Sequence, residues 1–103
     1  MSKEGLHVPR EKLTRETLNK HYAITSIIAE LEAVDWYRQR ADDCDDPALR
    51  EILLHNAKEE LEHAAMVLEW IRRNDRDFDT QLRGYRFKDG SIAEREEASE
   101  VKP

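Results

Sequence analysis

From Thr14 to Asn74 the chain carries one nearly continuous helical pattern, broken only by DDCDDP at residues 42–47. That single interruption constrains the fold more than any other feature. Thr14 suits an N-cap, and apolar residues then recur at helical spacing to about Asp42. Asp46 suits a second N-cap. Pro47 follows at the first helical position, where its missing N–H does no harm. The second pattern runs from Pro47 to about Asn74. Each helix would be roughly 40 Å long at 1.5 Å per residue. Two long helices joined by a short turn form an antiparallel hairpin. No strand pattern of period two competes with it. The predicted fold class is therefore all-α, with two long helices and a short C-terminal helix.

A lone hairpin buries one stripe per helix and leaves its layer open on the other side. With 103 residues there is material for one small domain, so a second copy is the simplest way to close the core. Two hairpins would make a four-helix bundle. Dimerisation is expected on these grounds alone.

After residue 75 the pattern is choppier. Phe78, Leu82 and Tyr85 share one face of a short helix that Gly84 would help to end. Ser91 and Glu94 have capping-box spacing, which predicts a short acidic helix. The final ASEVKP reads as disordered. The expected organisation is a flexible leader over 1–12, a helical hairpin domain over 13–90 and an acidic tail over 91–103.

The net charge is −6 and 39% of residues are charged, without a basic tract. Such a chain is a poor match for nucleic acid or an anionic membrane surface. No apolar run approaches the ~20 residues a membrane span needs. MSKEGLHVPREK has no apolar core of a signal peptide. The lone Cys44 offers no disulfide framework. A cytoplasmic protein is expected.

The polar residues on the apolar faces carry the functional signal. At about 100° per residue, Leu49, Leu53, Asn56, Ala64, Val67 and Ile71 lie within ~40° of Glu60. Ile52, Ala57, Leu68 and Trp70 lie slightly farther round. Glu60 thus falls near the middle of the stripe expected to be buried, with His63 as its same-face neighbour. On the first helix Ala23, Ile27, Val34 and Tyr37 lie within ~60° of Glu30, and Ile24 and Leu31 widen that stripe. An antiparallel hairpin brings Glu30 and Glu60 level.

Buried carboxylates need compensation. One solution is a polar lock, Glu60 with His63. The other is a metal. Four-helix di-iron carboxylate proteins take a Glu from each of two helices and a Glu-x-x-His from each of the other two. This chain has half of that set, and two copies would have all of it. Two Glu30 and two Glu60 would also balance two divalent ions. Oxygen and nitrogen donors suit iron or manganese better than structural zinc. Either Glu30 or Glu60 could bridge the ions. His21 and His55 lie off these faces and are expected to be structural or solvated. Met66 and Trp70 are expected in the core or a dimer contact. Phe78, Leu82, Tyr85 and Phe87 are expected in oligomer contacts.

ELEAVDWY (Glu30–Tyr37) followed by HNAKEELEHAAMVLEWIRR (His55–Arg73) closely resembles the encapsulated ferritins, small two-helix members of the ferritin-like group. The similarity covers most of residues 14–88. It implies a ferroxidase that oxidises Fe(II) with dioxygen at a di-iron centre shared across a dimer. Two irons per dimer and a decameric ring of five dimers are implied, housed inside an encapsulin shell. Glu30, Glu60 and His63 match the iron ligands, with Glu30 as the bridge. Tyr37 matches a tyrosine beside that centre, able to hydrogen-bond a ligand or donate an electron, though a core-edge tyrosine with a wet hydroxyl fits equally well. Trp36 matches a tryptophan near the metal path. Glu32 matches one ligand of a secondary entry-type site, whose other position is Ala29 here, so that site is expected to be weak or absent. The shell-docking peptide common in the family has no counterpart in EASEVKP. A manganese or rubrerythrin-like oxidase or peroxidase, and a non-enzymatic helical adaptor, are the competing functions.

Overall fold

A computed structural model describes residues 5–101, with side chains through Glu96. Residues 1–4 of the expected leader and residues 102–103 of the tail lie outside the described residues. A 3-10 turn at Arg10–Lys12 precedes four helices: α1 (Arg15–Asp43), α2 (Pro47–Asn74), α3 (Arg76–Tyr85) and α4 (Ile92–Val101). No strand occurs among the described residues. The chain divides between Leu68 and Glu69 into two compact units, the second beginning inside α2.

In the first unit the caps explain the helix boundaries. The Thr14 hydroxyl accepts from the Thr17 N–H at 3.0 Å. Asp46 Oδ1 accepts from the N–H groups of Ala48 at 2.9 Å and Leu49 at 3.2 Å. These bonds satisfy amides that the first turn leaves without intrahelical partners. Between the helices only Cys44, Asp45 and Asp46 are non-helical, so the chain reverses there as an antiparallel hairpin. The free Cys44 is half-buried, with its thiol 3.6 Å from the Asp46 carbonyl.

The buried residues of this unit are Leu18, Val34, Ala41, Ala57 and Ala64. Three are alanines, which lets two helices approach closely but buries little apolar area. The larger side chains stay on the surface: Tyr22, Ile24, Ile28, Leu31 and Trp36 on α1, and Leu49, Ile52, Leu54, Leu61 and Met66 on α2. Leu49 and Ile52, expected on the buried stripe, are exposed in the single chain because the core sits on the alanine side. Residues 5–12 lie near α1. The Arg10 guanidinium donates to the Tyr22 hydroxyl and stands 5.9 Å over its ring. His21 is half-buried, its ring 6.2 Å from that of Tyr22.

In the second unit Ile71 is buried, while Trp70 is exposed. Asp75 caps α3 by accepting from Phe78 N–H at 3.0 Å. Phe78, Leu82 and Tyr85 are half-buried, as one face of an amphipathic helix requires. α3 runs to Tyr85, one residue past Gly84, and Phe87 takes up the left-handed conformation, with φ of 57°. α3 and α4 pack against each other. Ser91 caps α4 through the Glu94 N–H at 3.2 Å. The backbone is helical to Val101.

Phe87 is 95% exposed, and the Arg86 guanidinium 5.3 Å from its ring centroid is a solvent-screened contact that offsets little of the strain of a left-handed conformation. Phe87→Gly is therefore expected to stabilise the chain by up to about 1 kcal/mol, read as a higher thermal midpoint.

A charge network ties α2 to α3. Arg72 forms a fork to Glu69 with two 2.9 Å bonds and reaches Asp79 at 2.5 Å. Arg73 also bonds Glu69 at 2.7 Å, and Arg83 bonds Asp79 at 2.9 Å. Arg72, then Arg73, hold the Glu69 carboxyl down at about 2, against an ordinary 4.5. Arg83, then Arg72, lower Asp79 as well. A carboxylate whose folded pKa is depressed stabilises the fold above its unfolded pKa and loses that contribution as pH falls through the folded value. The wild-type urea midpoint should therefore fall between pH 4.5 and about 2. Glu69→Gln should flatten that fall, with helicity as the readout.

Candidate metal centre

α1 and α2 position the three expected ligands. Glu30 lies fourteen residues before Cys44, and Glu60 lies fourteen residues after Asp46. An antiparallel pair with this symmetric spacing sets the two carboxylates at one level along the hairpin. Around Glu30, Ala23, Ile27 and Tyr37 are half-buried and Val34 is fully buried. Around Glu60, Ala57 and Ala64 are buried and Leu53, Asn56 and Val67 are half-buried. Glu60 itself is half-buried, at the edge of the alanine seam.

Glu30 is half-buried too, yet its Oε2 atom is enclosed and has no hydrogen-bond partner among the described residues. Leaving a buried polar atom unpaired costs about 1–3 kcal/mol, and more for a charged group. Such an atom calls for a cation or donor from outside the chain.

His63 follows Glu60 by one helical turn. Its Nδ1 stands 3.9 Å from Glu60 Oε2. That is too long for a hydrogen bond, though within ion-pair range. Both groups keep donor capacity for a shared ion. His63 is exposed, on the side of α2 that also presents Ile52 and Met66. No set of three or more His, Cys, Asp or Glu side chains converges among the described residues. One chain brings together the Glu60–His63 pair and sets Glu30 level with it. Two carboxylates and an imidazole are hard-to-borderline oxygen and nitrogen donors, the set that ferrous iron takes.

The neighbouring positions divide. Tyr37 is half-buried on the Glu30 face, two turns on, with the Arg40 guanidinium 5.6 Å from its ring centroid. Trp36, Glu32 and Ala29 are exposed. His55 is exposed and pairs with Glu59 at 3.6 Å, away from Glu60.

Sequence reasoning missed the α2–α3 charge network. The Glu69–Arg73 and Asp79–Arg83 spacings are the i,i+4 signal that reveals part of it. The Arg72–Asp79 bond crosses the helix break at Asp75, and helical spacing cannot predict it.

A two-helix hairpin with a level carboxylate on one helix and a Glu-x-x-His on the other is the ferritin-like arrangement in half-size. The chain belongs to the EncFtn-like family, whose model matches residues 5–89. It is 55% identical over 91 residues to the encapsulated ferritin-like protein of Rhodospirillum rubrum, covering 88% of this chain and 65% of that relative's length. The chain thus spans slightly under two thirds of that relative. It is 47% identical over 91 residues to the ferritin-like protein of Thermotoga maritima, covering 88% of this chain and 80% of that one. Among solved structures it resembles protein ne0167 from Nitrosomonas europaea. The TM-score is 0.83 at 52% identity, over 86% of this chain and 98% of that one. No helix among the described residues is long and apolar enough to cross a membrane.

Proposed function

We propose that this chain is a ferroxidase that oxidises Fe(II) with dioxygen at a centre completed by two copies of the hairpin. The observation that carries this reading is the enclosed, unpartnered Glu30 Oε2, level with a Glu60–His63 pair that is not hydrogen-bonded to itself. A second copy related by a two-fold axis would add the same three groups. The combined set would be four carboxylates and two imidazoles around two ferrous substrate ions. The exposed Ile52 and Met66, on the same side of α2 as His63, favour such a pairing, since a small domain gains by covering them.

In this reading the carboxylates Glu30 and Glu60 bind ferrous ions and favour the more highly charged ferric product. Glu30 is the proposed bridge, because its enclosed oxygen has no other partner. His63 contributes one nitrogen ligand per chain. Two irons per dimer release two electrons together, the number that takes dioxygen and two protons to hydrogen peroxide. Tyr37 is assigned the role of hydrogen-bonding a ligand or passing an electron. Trp36, beside it in sequence and exposed, is assigned to the metal path. Glu32 is assigned to an entry-type site that Ala29 weakens. The encapsulated relative suggests where the product goes: a ring of dimers, proposed as a decamer, would hand ferric iron to the interior of an encapsulin shell.

The test is aerobic addition of Fe(II) to the purified chain, followed through the ferric-oxo absorbance. Oxidation well above the buffer rate is expected, with iron binding near one per chain and metal-dependent association on sizing. Oxidation no faster than buffer would rule the ferroxidase out.

A further inference from the structure

We propose that the groove between Arg38 of α1 and the Leu54–Leu61 stretch of α2 is a binding site for a small oxyanion of the phosphate class. Arg38 and Lys58 both line this groove, one from each helix. Neither has an ion-pair partner among the described residues, although the chain is acidic and each has a carboxylate within helical reach. Asp35, three residues before Arg38, is hydrogen-bonded by Gln39 at 3.0 Å instead. Asp42 lies four residues after Arg38, and Glu62 four after Lys58. Two cations against one carboxylate, Glu51, make this groove locally positive in a chain of net charge −6.

The groove's apolar wall strengthens that spot. Leu54 and Leu61 are part-exposed along it, and Ala57 is buried beneath. Charge-assisted bonds gain when water is thinned beside them. Arg38 offers a planar fork that matches two oxygens of a phosphate-like anion, and Lys58 offers a point charge beside it. His55 adds a ring nitrogen at the rim, already close to Glu59. Glu51 also lines the groove, and its negative charge disfavours an extended polyanion.

The site is separate from the candidate metal centre. At 100° per residue Arg38 lies roughly 80° round α1 from Glu30, and Leu61 about 100° round α2 from Glu60. It therefore stands whether or not the ferroxidase reading does.

The experiment is a titration of the isotopically labelled full chain with inorganic phosphate, metal-free and at constant ionic strength, followed by amide NMR shifts. Saturable shifts at Arg38, Leu54 and Lys58 are expected, with sulfate competing. Arg38→Gln should weaken binding by at least ~10-fold, and Lys58→Gln should also weaken it. Both are surface changes that leave the caps and the alanine seam intact. Linear shifts spread over many basic residues would overturn the proposal. So would unchanged binding in Arg38→Gln. A third overturning result is a phosphate-insensitive chain whose sedimentation coefficient falls in Arg38→Gln, because the groove would then be a contact between copies.

Discussion

Glu30→Leu is expected to raise the stability of the metal-free chain by about 1–2 kcal/mol while reducing Fe(II) oxidation to the buffer rate. The two effects share one cause. Glu30 Oε2 is enclosed without a partner, next to the buried Val34. A leucine of similar reach removes the desolvated oxygen and adds apolar contact on the same stripe. A residue kept for packing or for a polar lock would show the opposite sign, because its removal would cost stability. Urea unfolding in the presence of chelator gives the stability, and the ferric-oxo absorbance gives the rate. A destabilised Glu30→Leu chain with unchanged oxidation would remove Glu30 from the centre.

Glu60→Ala is expected to leave the hairpin folded and to abolish oxidation. Alanine already occupies the flanking seam positions 57 and 64, and it is the best helix former. Removing groups that merely support a metal ligand costs up to about 100-fold, so removing a ligand should cost at least ~100-fold. Metal-dependent association should be lost in the same variant. The polar-lock alternative predicts something else: a change in stability with no metal dependence. His63 Nδ1 and Glu60 Oε2, 3.9 Å apart, are within ion-pair range but not hydrogen-bonded, so the metal dependence of the variant decides between the two. If Glu60→Ala oxidises iron at the wild-type rate, the centre lies elsewhere.

These variants also separate the competing functions. A helical adaptor would show neither the rate effect nor the metal-dependent association. A manganese or rubrerythrin-like enzyme would keep the ligand dependence but prefer another metal or peroxide. Metal analysis of the loaded protein distinguishes it.

Much of this molecule follows from local rules that act within a few residues. The caps at Thr14 and Asp46, Pro47 at the first helical position and the unbroken period from 15 to 43 and 47 to 74 dictate two long helices and a tight reversal. The level placement of Glu30 and Glu60 then follows from equal spacing about the turn. The Glu-x-x-His pair is local as well, one turn of one helix.

Other features depended on how the surfaces meet, which periodicity cannot specify. The wheel centred the stripe on Glu60. Packing moved the seam toward Ala57 and Ala64, because alanines allow closer helix approach than Leu49 or Ile52. Glu60 was thereby left half-buried, and those larger side chains stayed exposed. The left-handed turn at Phe87, after the helix end at Tyr85, is a backbone feature that periodicity does not reveal. The Arg72–Asp79 tie spans a helix break, so only the folded α2–α3 corner reveals it. Sequence determined which groups lie on which helix face. Tertiary structure decided which of them lost water, and enclosure without a partner is what distinguishes Glu30 from an ordinary surface carboxylate.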